Sequence, residues 1–300
     1  MSDGSPYRSG FVAIVGRSNV GKSTLLNRLI GQKIAITSQK PQTTRNRILG
    51  ILSRSDGQIL FIDTPGVHAA RSRLNKMMVE QAREACRDVD LILWLVEADR
   101  PVDNEPLVTK VLQQSSAKVM LVVNKCDLVG PERLLPLLAA YGRLRDFVAI
   151  VPVSALTGDN CAPLVDVILQ ALPEGPRYYP DDQVTDLPER FIVAELIRER
   201  LLAHTRDEVP YGAAVQVEEF REEPERNLVV IGAVIYVERE MHKRMVVGKG
   251  GAMLRRIGQE ARHAIEGLLG VRVFLELFVR VEPGWSASDR TLRELGYLAE

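Results

Sequence analysis

The eight residues Gly16-Arg17-Ser18-Asn19-Val20-Gly21-Lys22-Ser23 constrain the fold of this chain more than any other feature. They follow the apolar run Phe11–Val15 and lead into the helical stretch Ser23–Ile30. A G-x-x-x-x-G-K-S segment in that setting is a phosphate-binding loop between a buried strand and a helix. Its glycines let backbone N–H groups converge on phosphate oxygens, and the helix N-terminus favours their charge. Lys22 is placed to reach the β- and γ-phosphates and the Ser23 hydroxyl to ligate Mg²⁺. The loop alone does not separate ATP from GTP.

The surrounding rhythm fits that reading. Near-continuous apolar runs at Phe11–Val15, Ile59–Asp63, Leu91–Val96, Val119–Val123 and Phe147–Pro152 alternate with helical stretches such as Arg73–Arg87 and Glu105–Gln114. Runs of this kind are expected of parallel strands covered on both faces, so the first part reads as a mostly parallel, doubly wound α/β sheet. The pattern ends near Leu172. There is one phosphate loop, so this is not a tandem nucleotide-binding chain.

Three further segments complete a guanine-nucleotide set. Asn124-Lys125-Cys126-Asp127 follows the run Val119–Val123, at the carboxyl edge where such sheets bind ligands. The Asp127 carboxylate can accept from both the ring N–H and the exocyclic amine of guanine, and adenine offers neither there. Asn124 can tie the loop to the phosphate side, and the Lys125 stem can cover the base. Ser154-Ala155 fits the remaining base-facing loop. Asp63-Thr64-Pro65-Gly66 places Asp63 to orient Mg²⁺ and the Gly66 N–H to meet the γ-phosphate. Thr44, in preference to Thr43, completes the metal shell, and the polar stretch Ile36–Arg47 suits a segment that orders on GTP and relaxes on hydrolysis. The expected nucleotide contacts are thus Gly16 to Ser23, Asp63 to Val67, Asn124 to Asp127, Ser154 and Ala155. Lys22, Asn19, Thr44 and Gly66 are expected to act in hydrolysis, and Ser23, Thr44 and Asp63 to hold the metal.

A water-orienting Gln often follows the glycine of this motif. Here Val67 follows, then His68. Valine cannot orient water, so unassisted hydrolysis should be slow. Asn19 has two readings. It hydrogen-bonds the loop backbone, or it ligates K⁺ beside the phosphates, as in the P-loop GTPases that share an Asn here.

Bulk properties narrow the remaining classes. A hydrophobic content of 46% is that of a folded chain, and 300 residues suggest about two domains. Lys and Arg balance Asp and Glu at 39 each, so nucleic-acid affinity must be sought locally. Cys86, Cys126 and Cys161 have no paired spacing, which argues for free thiols in a reducing cytosol and against a zinc site. No apolar run reaches the roughly 18 residues of a membrane span, and the segment Met1–Gly10 has no signal-peptide core.

Pro173-Glu174-Gly175-Pro176-Arg177-Tyr178-Tyr179-Pro180-Asp181-Asp182 sustains neither helix nor central strand and reads as a linker, or alternatively as an ordered surface loop. Beyond Pro188 the order changes. Arg190–Leu202 reads as a helix, Ala213–Glu219 and Asn227–Val237 as paired strands around a turn at Arg221–Arg226, and Lys243–Val247 as a short helix. Gly248-Lys249-Gly250-Gly251 interrupts it, a longer helix runs through Leu268, and Val271–Val281 is a strand. This α-β-β-α-α-β order with a G-x-x-G loop is that of a type II KH domain, an α+β fold whose loop clamps single-stranded nucleic acid. Lys243, Arg244, Lys249, Arg255, Arg256 and Arg262 face one acid, Glu260, between His242 and His263. The expected RNA contacts are Lys243, Arg244, Gly248, Lys249, Gly250, Gly251, Arg255 and Arg256. Trp285, with Tyr297, either stacks on bases or packs at the domain edge. The expected boundaries are 1–175 for the nucleotide domain, 176–188 for the linker, 189–284 for the KH domain and 285–300 for a tail.

This combination resembles the Era family of the TrmE-Era-EngA-like superfamily, bacterial ribosome-assembly GTPases. The likeness includes Gln42-Thr43-Thr44-Arg45, the Leu172–Asp186 joint, Glu238-Arg239-Glu240, and Trp285 with Leu295-Gly296-Tyr297. In that family a hydrophobic residue after the glycine is no anomaly. The resemblance implies a GTPase using GTP, GDP and Mg²⁺, to which the second reading of Asn19 would add K⁺. It implies binding to the 3′ end of 16S rRNA within the maturing 30S subunit, and an assembly role coupled to cell growth and division. It also implies a cytoplasmic monomer with peripheral contact at the inner membrane face. Two other readings are an RNA-binding nucleotide sensor with negligible turnover and a membrane-linked regulatory GTPase. Phosphate release with and without RNA separates the first of these from a GTPase. A P-loop kinase is disfavoured by Asp127 and by the absence of a phosphoacceptor site.

Overall fold

Strand β1 (Arg8–Val15) ends where the phosphate loop begins, and helix α1 (Lys22–Ile30) leaves it. This computed structural model describes residues 6–40, 43–66, 72–103, 105–206 and 208–298. Around β1 lie β2 (Ile48–Ser53), β3 (Gly57–Asp63), β4 (Leu91–Glu97), β5 (Lys118–Asn124) and β6 (Ile150–Pro152), in the order β2-β3-β1-β4-β5-β6. All pairings are parallel except that of β2 with β3. Every residue of β3 and β4 is buried, which is why these strands read as unbroken apolar runs. Helices α2 (Arg73–Glu84), α3 (Pro106–Leu112), α4 (Pro131–Gly142) and α5 (Cys161–Ala171) connect or follow them.

Register decides what reaches the ligand edge. Ile14 pairs with Asp63 and Glu97 with Asn124. The carboxyl ends of β1, β3, β4 and β5 therefore deliver the phosphate loop, Asp63, Glu97 and Asn124 to one side of the sheet.

The chain divides into two compact units; residues 75–186 belong to the first with the N-terminal strands, and Leu187 onward, together with the short segment up to Leu74, to the second. The proline-rich stretch lies in the first unit as an ordered strap. Ser9 N donates to Pro173 O, Gly175 N to Tyr7 O, and Ile51 N to Val184 O at 2.8 Å. The fully buried Gln58 clamps the strap's middle: Oε1 accepts from Tyr178 N and Tyr179 N, and Nε2 donates to Tyr179 O and Ser53 Oγ. Of the two readings of this stretch, the structure has the ordered loop over residues 173–185. It covers the outer edge of β2, an edge strand that would otherwise expose its N–H groups.

The second unit contains α6 (Glu189–His204), β7 (Ala213–Glu223), β8 (Leu228–Val237), α7 (Glu240–Val247), α8 (Ala252–Leu269), β9 (Arg272–Val281) and α9 (Asp289–Glu294). Its sheet runs β7-β8-β9, with β7 antiparallel and β9 parallel to β8. Ile257, Ala261 and Ile265, one turn apart on α8, close the core against Val193 and Ile197 of α6 and Ile231 and Ile235 of β8. Strand β7 runs through Glu223, past the expected turn, which contracts to Pro224–Arg226. On this edge strand Arg221 and Glu223 pair with each other, so the polar run does not break the ladder. Trp285 is fully buried, donates Nε1–H to Gly212 O at 3.0 Å and stacks on Tyr297 with centroids 5.9 Å apart. It packs the unit's edge and offers no face to a base. Among the described residues no helix is long and apolar enough to cross a membrane.

Candidate functional site

The first unit carries a cleft of 620 Å³ at the carboxyl edge of its sheet. Ser18, Asn19, Gly21, Lys22, Ser23, Thr44, Gly66, Asn124, Lys125, Asp127 and Ala155 line it, so five separate segments meet there. Gly21 has φ 100°, and a Cβ there would lie 2.3 Å from Asn124 Nδ2. That close approach lets the Asn124 amide donate to Val20 O at 2.8 Å while its Oδ1 accepts from Ala155 N at 2.9 Å. One buried side chain thus ties the phosphate loop to the base-facing loop. Thr64 adds a second tie, donating to Ile14 O at 2.8 Å.

Ser23 Oγ lies 2.8 Å from Thr44 Oγ1 and 2.7 Å from Asp63 Oδ2. Thr43 instead turns back to Lys40 O at 2.7 Å. Asp63 is fully buried, its Oδ1 has no hydrogen-bond partner, and burial pushes its carboxyl above the usual range against the opposing pull of Lys22 and the two hydroxyls. A buried, partnerless carboxylate oxygen beside two hydroxyls is a hard oxygen donor set that fits Mg²⁺. The buried Ser18 Oγ is likewise without a partner. Lys22 Nζ folds onto Gly16 O (3.2 Å) and Arg17 O (2.9 Å), and burial pulls its ammonium below the usual value while Asp63 and Glu105 oppose this. A buried ammonium next to loop N–H groups suits a polyphosphate, whose charge would offset that burial cost.

At the base end, Asp127 is exposed and Lys125 holds φ 65°, bonded through Nζ to Glu97. Not every expected contact reaches the cleft. Cys126 turns inward, its N–H donating to Val153 O and its thiol to Val123 O, and burial raises its pKa. Ser154 is buried and folds its own loop by accepting from Thr157 N at 3.2 Å. Gly16, Arg17, Val20, Asp63, Thr64 and Pro65 are not among the residues that line the cleft, and the exposed Arg17 pairs with Asp103 at 2.9 Å. Asn19 Nδ2 donates to Gln39 O at 2.6 Å, so its amide bonds the polar Ile36–Arg47 segment and not the phosphate loop. Val67, expected at the phosphates, and His68 and Gln42 lie outside the described residues. Glu97, Arg100, Leu128 and Leu156 line the cleft without having been expected, since no motif marks them. The three cysteines are free.

In the second unit, Gly248 has φ 70° and ψ 175°, and a Cβ would lie 2.7 Å from that of Met253. Only glycine fits there, and Gly250 and Gly251 turn at φ 59° and 77° before α8 starts. A groove of 410 Å³ lies between α8 and β9, lined by Gly251, Leu254, Arg255, Gly258, Gln259, Arg262, Leu275 and Leu277. Gly251, Arg255, Gly258 and Arg262 recur at helical spacing, so one face of α8 supplies two exposed cations. Arg256 points elsewhere and pairs with Glu260 at 3.1 Å. Lys243, Arg244, Gly248, Lys249 and Gly250 belong to the loop and its approach, beside the groove lining.

The family description "50S ribosome-binding GTPase" matches residues 11–125, and "KH domain" matches residues 208–286. The GTPase Era of Geobacter metallireducens is 57% identical over 298 residues, covering 99% of this chain and all of that one. The GTPase Era of Geotalea uraniireducens is 57% identical over 292 residues, 97% of this chain and 98% of its own. Among solved structures, Era in complex with MgGDPNP and nucleotides 1506–1542 of 16S ribosomal RNA aligns at TM-score 0.93 with 40% identity, over 98% of this chain and all of that one. An Aquifex aeolicus Era variant bound to GDP·AlF4⁻ aligns at 0.92 with 40% identity, over 97% of this chain and all of that one.

Proposed function

The chain belongs to the Era family of GTPases, and from that premise we propose a GTP-driven switch that binds the 3′ end of 16S rRNA during maturation of the 30S subunit. The observation that carries the proposal is the placement of Asp63 within hydrogen-bonding distance of Ser23 and Thr44, two residues that line a cleft with Lys22, Asn124 and Asp127.

In this reading the loop from Gly16 to Gly21, Lys22 and Gly66 hold the phosphates. Asn124, Lys125, Asp127 and Ala155 hold guanine, with Cys126 and Ser154 supporting their loops. Ser23, Thr44 and Asp63 hold Mg²⁺, directly or through water. Mg²⁺ held by these three residues would supply neutralisation of the phosphate charge. Lys22 and the backbone N–H groups stabilise charge on the γ-phosphoryl oxygens as water attacks. Release of the γ-phosphate frees Thr44 and relaxes the segment around it. With no glutamine in the usual place, unassisted turnover is slow. We further propose that K⁺ assists, ligated by the Asn19 side-chain oxygen while its amide N–H remains on Gln39 O.

Of the expected boundaries, 1–175, 176–188, 189–284 and 285–300, one shifts in this reading: the strap over 173–185 goes with the nucleotide unit, which runs to Asp186. The Gly248–Gly251 loop and Arg255 clamp a single-stranded RNA backbone, with Lys243, Arg244 and Arg256 adding charge nearby. Support comes from the groove beside that loop and from the solved relative bound to 16S rRNA. The protein acts in the cytoplasm as a monomer, touches the inner membrane face peripherally, and links assembly to growth and division.

Phosphate release from GTP, followed with and without a 3′-terminal 16S rRNA fragment in K⁺ and in Na⁺, tests the proposal. RNA-stimulated release that is faster in K⁺ supports it. Release unaffected by RNA contradicts the coupling, and equal rates in the two salts remove the K⁺ site.

A further inference from the structure

Glu97 ends β4 at the ligand edge, in register with Asn124. It is a cleft-lining carboxylate whose side chain is only 6% exposed. Each of its oxygens takes one cation. Oε1 accepts from Lys125 Nζ, and Oε2 lies 2.7 Å from Arg100 Nε. Both cations also line the cleft. Lys125 is held in the left-handed region at φ 65°, a conformation a non-glycine residue keeps only when its surroundings fix it.

A buried carboxylate at the mouth of a cleft for a polyanion is unfavourable unless it serves another purpose, because its charge opposes that of the ligand. The pairing supplies that purpose. A lysine stem carries several rotatable bonds, and covering a base with it costs the entropy of ordering them. Glu97 holds the ammonium end of Lys125 at the cleft lining, so part of that ordering is already done in the protein itself. Arg100 on the second oxygen keeps the carboxylate from rotating away.

We propose that Glu97 is a positioning residue that pre-orders Lys125 over the purine plane and thereby sets how long a nucleotide stays bound. This rests on the reading of the cleft as a guanine-nucleotide site. A plane-covering role has a signature that differs from edge recognition. Loss of Glu97 weakens every purine that Asp127 admits by a common factor, whereas changes at Asp127 alter the ranking among purines.

The test compares wild type, Glu97→Gln and Glu97→Asp for release of fluorescent GDP and for affinity toward GDP, IDP and ADP. Hydrolysis kinetics and thermal melts are run alongside. Glu97→Gln is expected to release GDP about tenfold faster and to raise KM similarly, with kcat at saturation within about twofold, as expected for loss of binding that is uniform between ground and transition states. GDP and IDP should weaken by the same factor. Glu97→Asp should fall between, and Glu97→Gln/Lys125→Met should be no weaker than Lys125→Met alone. Unchanged or tighter GDP binding in Glu97→Gln overturns the proposal, as does a fall in kcat with KM unmoved. If Glu97→Gln fails to fold, the Glu97→Asp protein carries the same test with a smaller expected factor. Wild type that does not prefer GDP to ADP would instead refute the guanine-nucleotide reading itself.

Discussion

Ser23 donates its hydroxyl to Asp63 at 2.7 Å, joining the first turn of α1 to the end of β3 at a carboxylate that has no access to solvent. The hydroxyl satisfies one oxygen and leaves the other without a partner. A metal held at that oxygen would offset the cost of burying the carboxylate charge.

Asp63→Asn should separate these two effects. Burial raises the folded-state pKa of Asp63 above 3.8. Its contribution to stability is therefore full below that ordinary value and lost as pH rises through the folded one. At neutral pH the substitution should leave the ligand-free melting temperature unchanged or higher, with the difference vanishing at acid pH. The stabilisation by Mg²⁺ and GTP, about 2.7 kcal/mol at a hundredfold excess over Kd, should disappear. A melt of wild type and variant with and without Mg²⁺·GTP checks both.

Glu105 offers a second pH signature. It is 8% exposed, accepts from Trp94 Nε1 at 3.2 Å, and burial pushes it up to about 7. Its contribution is fully present below 4.5 and lost as pH rises through about 7. Glu105→Gln keeps the acceptor and removes the charge. The variant should match wild type near pH 4 and exceed it at pH 8 by on the order of 2 kcal/mol. Urea unfolding at the two pH values measures the difference.

Gln58 makes a mechanical prediction. Its amide satisfies Tyr178 N, Tyr179 N, Tyr179 O and Ser53 Oγ together. Gln58→Ala leaves backbone groups of the strap without partners, at about 1–3 kcal/mol. Limited proteolysis should then cut within residues 173–185 several-fold faster than in wild type. An unchanged cleavage rate would mean that Ser9, Ile51 and the Thr185 hydroxyl, which donates to Leu49 O at 2.6 Å, hold the strap unaided.

That strap also shows what could and could not be read from sequence. The buried parallel strands were legible because both faces are covered, leaving continuous apolar runs such as Leu91–Glu97. The phosphate loop and Asn124-Lys125-Cys126-Asp127 were legible because backbone chemistry demands those residue types at those spacings. Strand Ile48–Ser53 was not, because a short edge strand after a polar segment is defined by its partners, β3 and the strap. Gln58 and Glu97 were invisible for a related reason. Each acts through residues distant in the chain, so no local pattern marks it. Cys126 and Arg256 sit inside legible motifs yet turn away from cleft and groove, since a motif fixes a segment and not each side chain's direction.

Trp285 was open between two roles that its structure separates. Its ring stacks on Tyr297, and its N–H is spent on Gly212 O. Trp285→Phe should lower stability by about 1–2 kcal/mol through the lost hydrogen bond and reduced packing. RNA affinity, measured well below the melting temperature, should stay within about twofold. A tenfold loss of affinity in a fully folded variant would return Trp285 to the RNA surface.

The coupling of nucleotide to RNA is best measured by fluorescence anisotropy of a labelled 3′-terminal 16S rRNA fragment. The protein is loaded with a non-hydrolysable GTP analogue or with GDP, and wild type is compared with the double substitution Lys249→Asp, Gly250→Asp. A GTP-driven RNA switch binds roughly tenfold tighter with the analogue, prefers this fragment to scrambled RNA, and loses that binding in the variant. Affinity equal in both nucleotide states, or indifferent to sequence and to the variant, would contradict it.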